Sequence, residues 1–212
     1  MSMTLRWRRL WPVLFAAAWA GCALSQPVPA ISHYVIPGGA SETPVGAVVP
    51  LQVGQIDALP PFQQTGIAYQ LSPYRLDNYR LHQWVASPAW MLRERLQEMT
   101  VAQPGQQLDN RPALELDARI FAFQQMIDTG ASAGRVEIRF CLRPAAPPAV
   151  PLWCRTIREQ APASAATPGA AAEAIGTAFN LTLVQLRKDL EQELSTISAD
   201  GHSVVAFRHP LR

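Results

Sequence analysis

Three runs of alternating apolar and polar residues follow one another between Ala113 and Glu159, and no other feature restricts the fold of this chain as strongly. In "ALELDARIFAF", Ala113 to Phe123, residues Leu114, Leu116, Ala118 and Ile120 fall on one side and Glu115, Asp117 and Arg119 on the other. Side chains of an extended strand alternate between two faces, so this is the pattern of a half-buried strand. "RVEIRFCL", Arg135 to Leu142, repeats it with Val136, Ile138, Phe140 and Leu142 inward, and "LWCRTIRE", Leu152 to Glu159, is the third run. Polar turn residues at 128–134 and a Pro-rich stretch at 144–151 separate the runs. The order predicts an antiparallel meander with one wet face.

The second and third runs each carry a cysteine. If they form a hairpin centred in "RPAAPPAVP", residues whose numbers sum to about 295 face each other, as those of Cys141 and Cys154 do. The favoured reading is a cross-strand disulfide, worth roughly 3 kcal/mol in the chain-entropy model. The alternative is two free, partly buried thiols. No cluster of Cys or His accompanies the pair, which argues against zinc.

Two helices are predicted. "SPAWMLRERLQEMT" opens with Ser87 as N-cap and Pro88 at the first helical position, and Trp90, Met91, Leu92, Leu96 and Met99 supply an apolar face. The longer one follows the low-complexity "APASAATPGA", with Thr167 as cap and Pro168 first. There Ile175, Phe179, Leu183, Leu186, Leu190, Leu194 and Ile197 fall three and four apart, opposite Lys188, Asp189, Glu191 and Glu193, and Asp200-Gly201 marks the end. Strands with helices to one side define an α+β class. The expectation is a two-layer sandwich, a largely antiparallel sheet with two main helices on one face.

Upstream, "AVVPLQVGQI", Ala47 to Ile56, alternates Val49, Leu51 and Val53 as a half-buried strand, with Pro50 indicating a sheet edge or bulge. "TGIAYQL" is a shorter run. Residues 23–44 are rich in Pro and Gly and read as an extended tether, with "HYVI" as a candidate short strand.

The first nine residues carry Arg6, Arg8 and Arg9 and no acid, and lead into the apolar Leu10 to Ala20. This is the length of a signal-peptide core and is short of the ~20 apolar residues that span a bilayer. Trp19-Ala20-Gly21-Cys22 resembles the lipobox of bacterial lipoproteins, in which the cysteine is diacylated and becomes the mature N-terminus. Trp19 stands where Leu is usual. Lipidation makes Cys22 a membrane anchor. Ala23 follows it in place of the Asp that retains such proteins at the inner membrane, so the resemblance implies the periplasmic face of the outer membrane.

Without the signal, 15 of the 18 Lys+Arg remain against 16 acids, a net charge of −1. That balance excludes nucleic acid as a partner, since phosphate binding needs clustered positive charge. Gly130 to Gly134 matches G-x-S-x-G around Ser132, with Asp200 and His202 following in hydrolase order. A strand, however, follows directly where a nucleophile elbow needs a helix, and Gly and Ser are ordinary turn residues. His33, His82, His202 and His209 are scattered, and neither H-E-x-x-H nor a phosphate loop occurs. The expectations are no catalytic residue, no cofactor and no metal.

With these elements placed, "HYVI" followed by "VVPLQVGQIDALPPFQQTGIAYQLSPYRLDNYRLHQWVASPAWMLRERLQ" resembles the ABC-type transport auxiliary lipoprotein family. The features carrying the resemblance are Pro61-Phe62, Tyr69, Trp84 and Pro88, and the likeness extends over roughly 34–198. It implies a division into a lipoprotein signal (1–21), a lipidated N-terminus and tether (22–44), an auxiliary domain (45–199) and a tail (200–212). The implied role is a non-catalytic subunit partnering an MCE-domain protein and its ABC permease and ATPase in moving lipids or other hydrophobic molecules. A homo-oligomer is compatible with that role. Candidate contact surfaces are the first strand, with Val49, Leu51 and Val53, and the wet face bearing Glu115, Asp117, Arg119, Glu137 and Arg139. Tyr69, Trp84 and Trp90 are expected in the core. The alternatives are an envelope assembly or secretion lipoprotein, and a carrier holding lipid between helix and sheet.

Overall fold

The computed structural model describes residues 29–38, 51–100, 114–128 and 131–199. The chain divides into two units between Ala30 and Ile31, and all that follows concerns the second. Its strands are β1 (Ser32–Tyr34), β2 (Leu51–Ala58), β3 (Gly66–Ser72), β4 (Arg75–Trp84), β5 (Leu114–Asp128), β6 (Ala131–Pro144) and β7 (Trp153–Pro162). Two helices, α1 (Pro88–Thr100) and α2 (Pro168–Ala199), pack on one face of the sheet. The class is α+β, as the sequence predicts.

The sheet runs β1-β4-β3-β5-β6-β7, with β2 also paired to β5. The long pairings, β5 with β6 and β6 with β7, are antiparallel, as is β3 with β4. Shorter parallel pairings join β1 to β4 and place both β2 and β3 on β5. β5 can hold two partners on one edge because it is 15 residues long: Leu114–Ile120 pairs with β2, and Gln124–Met126 with β3.

Alternation alone does not carry through β5. The register with β6 shifts between Ile120 and Ala122, leaving Phe121 as the extra residue of a bulge. Inward residues are therefore even-numbered up to Ile120 and odd-numbered at Phe123 and Gln125, while β6 keeps Gly134, Val136, Ile138, Phe140 and Leu142 facing α2 throughout. The switch lets Phe123 meet Trp84 and Phe179 edge to face, at centroid distances of 5.7 and 5.6 Å.

Both helices begin as their caps predict. The Ser87 hydroxyl accepts from the Trp90 N–H at 3.3 Å, and the Thr167 hydroxyl accepts from the Ala170 N–H at 3.4 Å. Buried faces follow the expected spacing in α2, with Ile175, Phe179, Leu186, Leu190 and Leu194 in the core. In α1, Met91, Leu92, Leu96 and Met99 are buried, but Trp90 is 53% exposed and is not the core residue expected of it. It stands two residues before Leu92, about 200° round the helix, and so faces away from the buried stripe. Trp84, by contrast, is 1% exposed.

The backbone after β1 crosses the two helices. Ile36 packs on Gly176 of α2, and the Pro37 carbonyl accepts from Arg95 of α1 at 2.9 Å. The same guanidinium donates to Asn180 of α2 at 3.3 Å, so one arginine ties the crossing segment and both helices together. No helix among the described residues is long and apolar enough to cross a membrane.

Candidate functional site

The sheet face away from the helices gathers the charged residues that alternation placed there. Glu115, Asp117, Arg119, Glu137 and Arg139 all lie on it, joined by Arg135, Arg143 and Arg158. The Arg143 guanidinium donates to Glu115 at 2.5 Å and to Asp117 at 2.6 Å. The other Asp117 oxygen accepts the Gln55 backbone N–H at 2.7 Å, which pins β2 to this network. Glu137 is held between Arg135 at 2.7 Å and Arg158 at 2.9 Å.

Burial by itself would push the Glu137 carboxyl up, but its two arginines outweigh that and hold its pKa below the ordinary 4.5. A depressed carboxylate contributes stability that is present above its unfolded value and lost as pH falls through the folded one. The melting temperature of the wild-type chain is therefore expected to fall more steeply than that of Glu137→Gln as pH drops below about 4.5. Parallel slopes in thermal melts would contradict this.

Cys141 and Cys154 are joined by a disulfide on the same face, with Cα atoms 4.2 Å apart. Every residue pair in register between β6 and β7 sums to 295, so the cysteines are direct cross-strand neighbours. Among the described residues there is no group of three or more His, Cys, Asp or Glu placed to hold a metal ion.

The first strand is placed differently from expectation. Leu51 and Val53 face the helix side, where Leu51 is in the core and Val53 packs against it. Their side chains are directed inward because β2 is in register with Leu114 and Leu116 of β5. Val49 and Cys22 lie outside the described residues, as do Asp200, His202 and His209.

Ser132 is on β6, opposite Ile127, in an antiparallel hairpin rather than at a strand-to-helix elbow. Its hydroxyl accepts from the Gln125 amide at 2.6 Å, and that amide also donates to the Ala165 carbonyl at 3.2 Å. The Gln125 oxygen accepts from the Tyr79 hydroxyl at 2.7 Å. Gln125, fully buried, thus links β4, β6 and the segment before α2. Sequence reading missed it, since a glutamine in a strand gives no sign of burial until the bulge turns it inward. Ser132→Ala is expected to cost about 1 kcal/mol in a chemical melt, the value of one net hydrogen bond. A loss below about 0.3 kcal/mol would remove this role.

The overall fold recurs in solved structures. Protein XCC0632 from Xanthomonas campestris superposes with a TM-score of 0.62 at 18% identity, covering 80% of this chain and 99% of that one. The crystal structure of an uncharacterized protein gives 0.51 at 14% identity, covering 81% and 99%. No curated protein matches the sequence significantly. At this identity the likeness shows a shared α+β sandwich and nothing further.

The sequence itself takes the assignment to a family. The model of the ABC-type transport auxiliary lipoprotein component matches residues 34–186, from the last residue of β1 into α2, and the chain belongs to that family.

Proposed function

We propose that the chain is a non-catalytic adaptor, anchored through a lipidated Cys22 to the periplasmic face of the outer membrane, that docks an MCE-domain protein with its ABC permease and ATPase. The observation carrying this reading is the family match over most of the folded domain, on a chain whose N-terminus has a lipobox pattern. An anchor fixes position and the tether sets reach, leaving the domain's surfaces for a partner. What favours docking over lipid carriage is the filling between helices and sheet. Trp84, Phe123, Phe140 and Phe179 close that space together with aliphatic side chains that are almost wholly buried.

A genetic test separates the readings. Deleting this chain is expected to give the same lipid-transport defect as deleting the permease of its system, with no further loss in the double deletion. Complementation is expected from the wild-type gene and not from Cys22→Ser, whose product leaves the membrane fraction. Additive defects, or full rescue by Cys22→Ser, would sink the adaptor reading.

A further inference from the structure

On the charged sheet face the acids are all engaged, and two arginines are left over. Arg119 and Arg139 stand directly opposite each other across β5 and β6, and both are exposed. Like charges placed opposite each other on a sheet face repel and cost stability. Among the described residues no ion pair relieves these two arginines. Glu115 and Asp117 are bound by Arg143, and Glu137 by Arg135 and Arg158. Asp57, in register with Arg119 on β2, accepts from the Gln55 side chain at 2.8 Å and makes no ion pair, so it offsets part of the charge of Arg119 and none of that of Arg139. Among the described residues no carboxylate lies within salt-bridge distance of Arg119 or Arg139.

Arg119 is also held in place. Its guanidinium lies 5.6 Å from the centre of the Phe121 ring, the extra residue of the bulge, which projects on the same side. The bulge therefore does two things: it turns Phe123 and Gln125 inward and presents Phe121 beneath an unpaired cation. On β7, Thr156 is in register with Arg139 and completes the row.

We infer that the Arg119–Arg139 pair, with Phe121 and Thr156, is the docking site for an acidic segment of a protein partner. Two guanidinium forks suit carboxylates in bidentate geometry, and a partner's acids would relieve the repulsion that the isolated domain bears. The charge around the pair selects a peptide over a lipid surface. Asp117 and Glu115 lie towards the end away from the β5–β6 turn, and Asp57 lies beside Arg119 on β2. Asp57 borders the pair on the β2 side, and Glu115 and Asp117 share the single Arg143 beyond it, so a plane of lipid phosphates laid on this face would meet those carboxylates, whereas a peptide segment can seat its acids on the pair alone. The inference rests on the adaptor reading only in expecting the acidic segment to come from a transporter component.

The test is photo-crosslinking in the native envelope with the full-length lipoprotein carrying a benzophenone amino acid at Thr156, and a control carrying it at Lys188 on the outer face of α2. Mass spectrometry of the adducts is expected to find a segment rich in Asp and Glu at position 156 and not at 188. Arg119→Glu with Arg139→Glu is expected to reduce that adduct at least tenfold. Arg119→Gln with Arg139→Gln should reduce it too, while the melting temperature of the domain holds or rises, which a structural role for the pair would not produce. An acidic segment from a protein outside any transporter would keep this site and overturn the adaptor reading. A transporter adduct unchanged by charge reversal, an adduct with lipid alone, or no adduct at 156 would overturn the site.

Discussion

Gly134→Val lowers the stability of the domain by about 3 kcal/mol or more, the upper end of what overpacking costs when the neighbour cannot yield. A Cβ at Gly134 would lie 2.3 Å from the backbone of Ala174 and Ile175 in α2. Those are main-chain atoms within a 32-residue helix, so no rotamer change opens the space. The helix as a whole has to rise from β6, and Phe179 with it loses its contact with Phe123. For a domain of this size the loss corresponds to roughly 6–12 °C in melting temperature. Gly169→Ala is the matched control. Nothing lies within 4 Å of its added Cβ, so it is expected to be neutral or slightly stabilising. Equal melts for the two variants would show that α2 does not rest on β6 at this point.

Removing the disulfide is the other large effect. The Cys141→Ala/Cys154→Ala variant is expected to lose about 3 kcal/mol, because the unfolded chain regains the freedom of the loop that the bond closes. That loop joins β6 to the terminal strand of the sheet order. Reductant should lower the wild-type melt to that of the double variant and leave the double variant unmoved. The pair lies on the charged face, two registers from the Arg119–Arg139 row, so its loss is also expected to loosen the β7 side of that face. Identical oxidised and reduced wild-type melts would contradict the pairing.

These two residue sets show where a sequence is readable and where it is not. The three alternating runs fixed the meander, since one face of each strand had to be buried, and the loop length between β6 and β7 was enough to centre the register on the cysteine pair. Both helix starts were legible because Ser87 and Thr167 carry the capping chemistry in their own side chains. β4 was not recognised: Arg75, Asp77, Arg80 and His82 interrupt any apolar alternation, and most of the strand is exposed, so it lacks the burial that writes the pattern. The bulge at Phe121 could not be seen either. It comes from the pairing of β5 with β6, and its effect was to hide Gln125 and misplace nothing upstream of Ile120. In sequence Gly134 has only the signature of a turn glycine within a serine-centred motif, whereas in the fold it is the point at which a helix backbone meets a strand.

The candidate surface was legible as a set and not as a network. Alternation put Glu115, Asp117, Arg119, Glu137 and Arg139 on the wet side, where they are found. Which of them are neutralised depends on register across β5, β6 and β7 and on Arg143 reaching diagonally from Glu115 to Asp117. Only with that register does the face reduce to two unpaired arginines. Leu51 and Val53 failed as surface residues for the same reason: a strand's apolar side was known, but not that α1 covers it.

The most direct measurement is affinity purification of the acylated full-length protein after crosslinking in its own envelope, with the captured proteins identified by mass spectrometry. The account predicts an MCE-domain protein together with its ABC permease and ATPase, enriched over a Cys22→Ser control that is not anchored. Recovery of outer-membrane assembly or secretion components in their place, or of lipid with no transporter subunit, would contradict it.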